Sequence, residues 1–325
     1  MHALKVALPL LVVLVVAVSL TAAGSAKPVT DGAKNGDEAD PDADFTAIQE
    51  ALNEYRGDNS DEAYEAFTEA AHAFLDNHPD DPRVRQAQVL LMQMMNIHED
   101  WQGLLDYTQS IEDDVADSNE MLISVLGNMG RAHANLGNRE EAEAIVVRLR
   151  TFEVENHQQL SQAQREASEI ERLVSFLPGN PAPDFSLPTI DDEGEVSLED
   201  LEDQYVLLVF NWAGCTDCQH LKSQVLKPLW EKYREKNFVV VSVGLDTAEA
   251  QRDATEEHGY DWTLLYDPEH DIVREYGVRG VPHVTLIDPE QKFVLVGTGS
   301  DASDGLEEAL EEAFGNDADE ETDAE

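Results

Sequence analysis

Cys215 and Cys218 are the only two cysteines among 325 residues, and they stand three positions apart. They follow an apolar run, Tyr205 to Phe210, and precede a stretch with helical spacing. Two thiols at that separation on the first turn of a helix are close enough to form a disulfide with each other. Reversible thiol–disulfide exchange is therefore the leading chemistry. Two other readings stand beside it. A structural zinc site needs two further ligands, which would have to be histidines, and neither His220 nor His283 belongs to an HxxxH-type pair; no metal is expected. A purely structural disulfide over so short a loop removes little entropy from the unfolded chain.

The elements around the pair bound where it works and on what. Lys5, the apolar stretch Ala7 to Leu20 and the small residues up to Gly24-Ser25-Ala26 have the layout of a secretory signal, 1–26, cleaved near Ala26. The alternative is an uncleaved anchor, since Leu4 to Ala23 nearly reaches bilayer-spanning length. Both place the rest of the chain outside the cytoplasm, periplasmic or secreted, where disulfides persist. No later segment is apolar enough to span a membrane, so any membrane contact is expected only through that N-terminal segment. Asp and Glu number 68 against 21 Lys and Arg, a formal net charge of −47. Such a surface repels phosphates, which excludes nucleic acid as an expected partner, and it suits a high-salt setting where counterions screen the self-repulsion.

Composition divides the chain further. Residues 27–44 are small and acidic and read as a flexible linker, and 316–325 read as a disordered acidic tail. The proline-dense Leu177-Pro178-Gly179-Asn180-Pro181-Ala182-Pro183 marks a boundary between two domains. Residues 45–177 show helical periodicity, with stripes at Tyr64, Phe67, Ala71, Phe74-Leu75 and at Leu122, Val125-Leu126, Met129, His133. Asn59-Ser60-Asp61 can cap one helix, and His78-Pro79-Asp80-Asp81-Pro82 ends one and opens the next. Asp61-Glu62-Ala63, Trp101-Gln102-Gly103 and Glu140-Glu141-Ala142 each open the second helix of a pair. The stretch Gly127 to Ala142, with its Leu136-Gly137 turn, resembles a tetratricopeptide unit, in which small residues allow close helix packing. An all-α domain of helical hairpins is expected, able either to bind peptide or protein segments or to serve as a support. Its histidines are scattered, and nothing in it looks catalytic.

From Val196 the pattern alternates: strand Tyr205–Phe210, helix Cys215–Tyr233, strand Phe238–Val243, helix Ala248–His258, strand Thr263–Tyr266 and a short helix near Ile272–Tyr276. A hairpin His283–Ile287 and Phe293–Val296 and a last helix Gly305–Phe314 follow. A βαβ unit followed by an antiparallel hairpin and a helix is a layout for an α/β domain with a central mixed sheet, placed at 178–315. Here the chain resembles the TlpA/ResA-like thioredoxins, which are membrane-tethered or secreted. The resemblance rests on Pro181-Ala182-Pro183-Asp184-Phe185-Ser186-Leu187, on Val209-Phe210-Asn211-Trp212-Ala213 leading into the cysteine pair, and on Gly280-Val281-Pro282 before Thr285-Leu286-Ile287-Asp288. It covers roughly residues 180–315.

The resemblance implies a thioredoxin-like fold and a thiol–disulfide oxidoreductase acting on protein thiols and disulfides, recharged by a redox partner protein, with no cofactor. It implies that Pro282 is cis and lies beside the cysteines, leaving the Val281 backbone free for strand-like pairing with a substrate polypeptide, next to Trp212. Cys215, at a helix N-terminus, is the attacking thiolate, and Cys218 the resolving thiol. His220, Lys222 and His283 are candidates for moving a proton, His283 above all because it follows Pro282 directly. Three departures stand out. Gly214 replaces the usual Trp before the first cysteine, Thr216-Asp217 lacks the common proline, and no carboxylate stands at Val209 or Phe210. Asp217 adds negative charge near the thiolate, which predicts a reductant-like couple. Two other functions are weighed. Gly214-Cys215-Thr216 and the Pro-Ala-Pro-Asp-Phe start suit a peroxiredoxin-like peroxidase, although Trp212 stands where a Thr is wanted. A repeat scaffold with a vestigial thioredoxin domain is the non-enzymatic reading.

Overall fold

The computed structural model describes residues 39–154, 156–191, 193–267, 269–298 and 301–315. The expected signal or anchor, most of the acidic linker and the acidic tail lie outside the described residues. Seven helices come first: α1 (Pro41–Asp58), α2 (Asp61–Asn77), α3 (Val84–Ile97), α4 (Trp101–Ile111), α5 (Asn119–Asn135), α6 (Arg139–Arg150) and α7 (His157–Ser175). Helix α1 begins at Pro41, four residues inside the stretch expected to be linker. The Asp40 side chain accepts the Asp42 amide, and Pro41 fills the first helical position, where a missing N–H costs nothing. The second helices of the three pairs start at Asp61, Trp101 and Arg139, at or one residue before the expected positions. Ser60 and Asp100 cap two of them through the amides of Ala63 and Gly103.

The expected stripes form the core of this domain. Tyr64, Phe67, Ala71 and Phe74 are buried, as are Val125, Leu126, Met129 and His133, while Leu75 and Leu122 sit at its margin. Helix α5 packs against both α6 and α7. Gly130 shows how closely: a Cβ there would lie 2.3 Å from Ile170 of α7 and 3.0 Å from Ile145 of α6.

The C-terminal domain opens with a small antiparallel hairpin, β1 (Ser186–Pro188) and β2 (Glu195–Ser197). The main chain then runs β3 (Tyr205–Asn211), α8 (Thr216–Leu221), a π-helical turn (Lys222–Leu226), α9 (Lys227–Tyr233), β4 (Phe238–Gly244), α10 (Ala248–His258), β5 (Thr263–Tyr266), α11 (Asp271–Glu275), β6 (His283–Ile287), β7 (Phe293–Thr298) and α12 (Asp301–Phe314). Five strands form one mixed sheet in the order β5-β4-β3-β6-β7, with β3, β4 and β5 parallel and β6 and β7 antiparallel. Alternation along β3 sends Leu208 and Phe210 into one apolar layer and Leu207 and Val209 into the other. The single helix expected over Cys215–Tyr233 is instead interrupted by the π turn just before Pro228, whose nitrogen has no hydrogen to donate to the preceding turn. The two domains touch at their junction. Phe176, directly after α7, packs edge-on against Phe293 at 6.0 Å, and Arg139 donates to the Asn180 side chain and the Pro178 carbonyl.

Candidate active site

Strand β3 ends at Asn211, and a tight turn closed by the Cys215 amide on the Trp212 carbonyl (3.0 Å) delivers Cys215 to the N-cap of α8. Cys215 and Cys218 are joined as a disulfide with their Cα atoms 5.2 Å apart. The Cys215 sulfur also accepts the Cys218 amide at 3.1 Å, so it occupies the position a capping oxygen takes elsewhere. The two sulfurs are not equivalent. Cys215 is half-buried at the edge of the domain, whereas Cys218 is 1% exposed. Only Cys215 can be reached from outside. Trp212, three residues before it, is 56% exposed, an unusual place for an indole.

The turn is pinned from below by polar groups. The Ala213 amide donates to Asp246 (2.8 Å) and the Ala213 carbonyl accepts from Gln219 (3.2 Å). Gln251 also donates to Asp246, and the Tyr260 hydroxyl donates to Gln219 at 3.0 Å. One helical turn after Cys218 comes Lys222, 1% exposed, whose ammonium donates to the Asn211 side-chain oxygen at 2.7 Å. Asn211 is itself fully buried and fixed by donating to the Val243 carbonyl at 3.1 Å. Burial lowers the Lys222 pKa to about 8, with Asp246 acting against it. Of this network the sequence offers Lys222 as a proton-moving candidate, and Asn211 and Ala213 only as members of the stretch leading into the cysteines. The available signal for Lys222 was its position: it interrupts an apolar stripe of Cys218, Leu221, Leu226 and Leu229 that faces the core.

The other expected site residues fall in two places. The Val281–Pro282 peptide bond is cis. Pro282 precedes His283, whose register partner is Phe210, so it lies at the same end of the sheet as the turn carrying Cys215. Val281 is half-buried there. His283 goes elsewhere, into the sheet, 4% exposed, with its ring 5.7 Å from that of Phe210 and its nitrogens 3.4 Å from the hydroxyls of Thr285 and Thr298. Burial lowers its pKa to about 4. The ring is therefore neutral at neutral pH and carries no acidic imidazolium proton to pass on. His220 is exposed on α8.

Residues 178–296 match the AhpC/TSA family. The chain is similar to the thiol-disulfide oxidoreductase ResA of Bacillus thuringiensis, 25% identical over 133 residues that span 41% of this chain and 76% of that protein. It is similar over less of its length to the peroxiredoxin Bcp of Escherichia coli, 29% identical over 102 residues, 31% of this chain and 65% of that one. A solved thiol:disulfide interchange protein from a Bacteroides species is 30% identical, covering 45% of this chain and 95% of its own, with a TM-score of 0.39. The C-terminal domain is a thioredoxin-family domain of the AhpC/TSA group. With its cysteine pair and its ResA-type relatives, the chain is a thiol–disulfide oxidoreductase.

Proposed function

We propose that this oxidoreductase reduces disulfides of proteins outside the cytoplasm through the Cys215–Cys218 couple. The observation that carries the reading is the asymmetry of the pair, one sulfur at the surface beside an exposed indole and the other sealed in the core. In the reduced protein the Cys215 thiolate attacks a substrate disulfide, forming a mixed disulfide and releasing one substrate thiol. Cys218 then attacks the Cys215 sulfur, the Cys215–substrate bond breaks with its electron pair on the substrate sulfur, which leaves as the second thiol, and the intramolecular disulfide is regenerated, a two-electron reduction in all. Trp212 and the Val281 backbone flank the substrate chain, and Pro282 shapes the edge on which it lies. A redox partner protein returns the dithiol. The reducing direction is supported by Asp217, which stands between the two cysteines, two residues after Cys215, since its charge disfavours the thiolate. The extracytoplasmic setting is supported by the signal-like N-terminus, and the resemblance of Gly127 to Ala142 to a tetratricopeptide unit, within the succession of helices α1 to α6, supports a role for the helical domain in holding client segments.

The test is capture of mixed disulfides by Cys218→Ser, with identification of the trapped proteins; no capture above a Cys215→Ser control defeats the reading. A reduction potential near those of strong oxidants would reverse the direction. The Bcp relative gives a second reading, a peroxidase. Trp212 in place of the expected Thr disfavours it, and peroxide consumption that outpaces insulin-disulfide reduction would establish it.

A further inference from the structure

Lys222 is a buried cation that the exchange scheme above does not use. Its amide donates to the Cys218 carbonyl, which sets it one helical turn from the inner sulfur on the same helix. Its ammonium is held by a neutral oxygen, that of Asn211, and lies 5.2 Å from the Tyr260 ring centroid. Among the described residues no carboxylate lies within ion-pairing distance of it. The titratable groups around it are few. Asp246, beyond the end of β4, acts only at longer range, with its oxygens taken by Ala213 and Gln251. Tyr260, ahead of β5, is kept neutral by burial. On its own helix stand the cysteine pair and the exposed Asp217 and His220. An unpaired buried ammonium is costly to keep unless something nearby becomes negative. Both sulfurs become negative in the catalytic cycle, but Cys215 is half-buried and meets water, whereas Cys218, one turn from Lys222, is sealed and has no solvent to stabilise its charge.

We propose that Lys222 is a positioning residue of the resolving step, its ammonium held by Asn211 on the helix turn after Cys218 as the counter-charge that draws Cys218 into its thiolate form. This rests on the reading of Cys218 as the resolving thiol. In that step the Cys218 sulfur bonds to Cys215, the Cys215–substrate bond breaks with its electron pair on the substrate sulfur, and the proton lost by Cys218 ends on that leaving thiol. Cys218 is sealed from water, and burial alone would raise its pKa and starve the step of thiolate. A cation one turn away on the same helix opposes that. The positive charge replaces the carboxylate absent at Val209 and Phe210, and it acts by electrostatic stabilisation of the anion.

The experiment uses the reduced full-length protein and dithiobis-nitrobenzoate, whose released thiolate is coloured. A first, bimolecular phase reports attack by Cys215; a second, unimolecular phase reports resolution by Cys218. In Lys222→Met the second phase should slow about threefold to tenfold near neutral pH, because each unit of thiol pKa is worth about tenfold in thiolate and about half of that logarithm is returned as nucleophilicity. At alkaline pH, where both thiols are ionised, the deficit should disappear and the variant, with the more basic thiolate, should match or overtake the parent, and Lys222→Arg should restore the parent profile. A second phase that superimposes on the parent, or is slowed by one factor at every pH, overturns the proposal. Should Lys222→Met not fold, the Lys222 side-chain nitrogen can be titrated by NMR in the unmodified protein: its midpoint should rise on reduction, and an unmoved midpoint overturns the idea equally. A parent protein with no second phase at all would instead defeat the assignment of Cys218 as resolving thiol.

Discussion

Exposure, more than chemical type, divides the labour between the two sulfurs. Cys215 meets solvent and Cys218 does not, so replacing Cys215 with Ser should abolish insulin-disulfide reduction, while Cys218→Ser should leave the protein able to form mixed disulfides but unable to release them. Both outcomes can be read on non-reducing gels and by mass. His283 makes a different prediction. Its folded pKa of about 4 lies below the ordinary 6.5, so the unfolded chain binds more protons between these values and stability rises with pH there. The contribution is fully present above about pH 6.5 and is lost as pH falls toward 4, up to about 3 kcal/mol for a ring this buried. Urea denaturation of the parent and His283→Gln at several pH values checks it: the variant should lose less stability over that window, and parallel curves would refute the assignment.

Helix packing supplies predictions of its own. Gly130 of α5 has no room for a Cβ against Ile170 and Ile145, whereas Gly57 near the end of α1 has nothing within 4 Å. Gly130→Val should therefore cost about 1–3 kcal/mol through overpacking, and Gly57→Ala should stabilise by up to about 1 kcal/mol through helix propensity; thermal melts of the full chain measure both. Elements of this kind were largely legible in the sequence. The three second helices of the N-terminal domain and the strands β3, β4, β5 and β6 sit within a residue or so of where spacing put them, because caps, prolines and apolar runs are local signals. The strand pair β1–β2 was missed because three-residue strands carry too little periodicity. The π turn escaped because Pro228 reads equally well inside a bent helix. Within the site, the cysteine pair is a one-dimensional motif and was plain. Asn211, Asp246, Gln219 and Tyr260 were not, since their meeting depends on four separate elements being folded together.

Over the whole molecule, charge dominates. A formal net charge of −47 makes self-repulsion a standing load on the folded state. Raising salt from about 0.01 M to about 1 M shortens the screening length from about 30 Å to about 3 Å, so the melting temperature of the full chain should climb steeply with sodium chloride. A flat response would remove the high-salt reading. The domains meet through Phe176 on Phe293, the hydrogen bonds of Arg139 to residues 178 and 180, and the ion pair of Arg279 with Glu169, which ties α7 to the segment just before Pro282. Finally, the chain has four tryptophans, and one of them, Trp212, stands out in solvent three residues from a disulfide that opens and closes. A disulfide accepts electrons from an excited indole and darkens it, and a dithiol does so far less. The protein's own fluorescence should therefore brighten on reduction, an optical gauge of its redox state that needs no added dye.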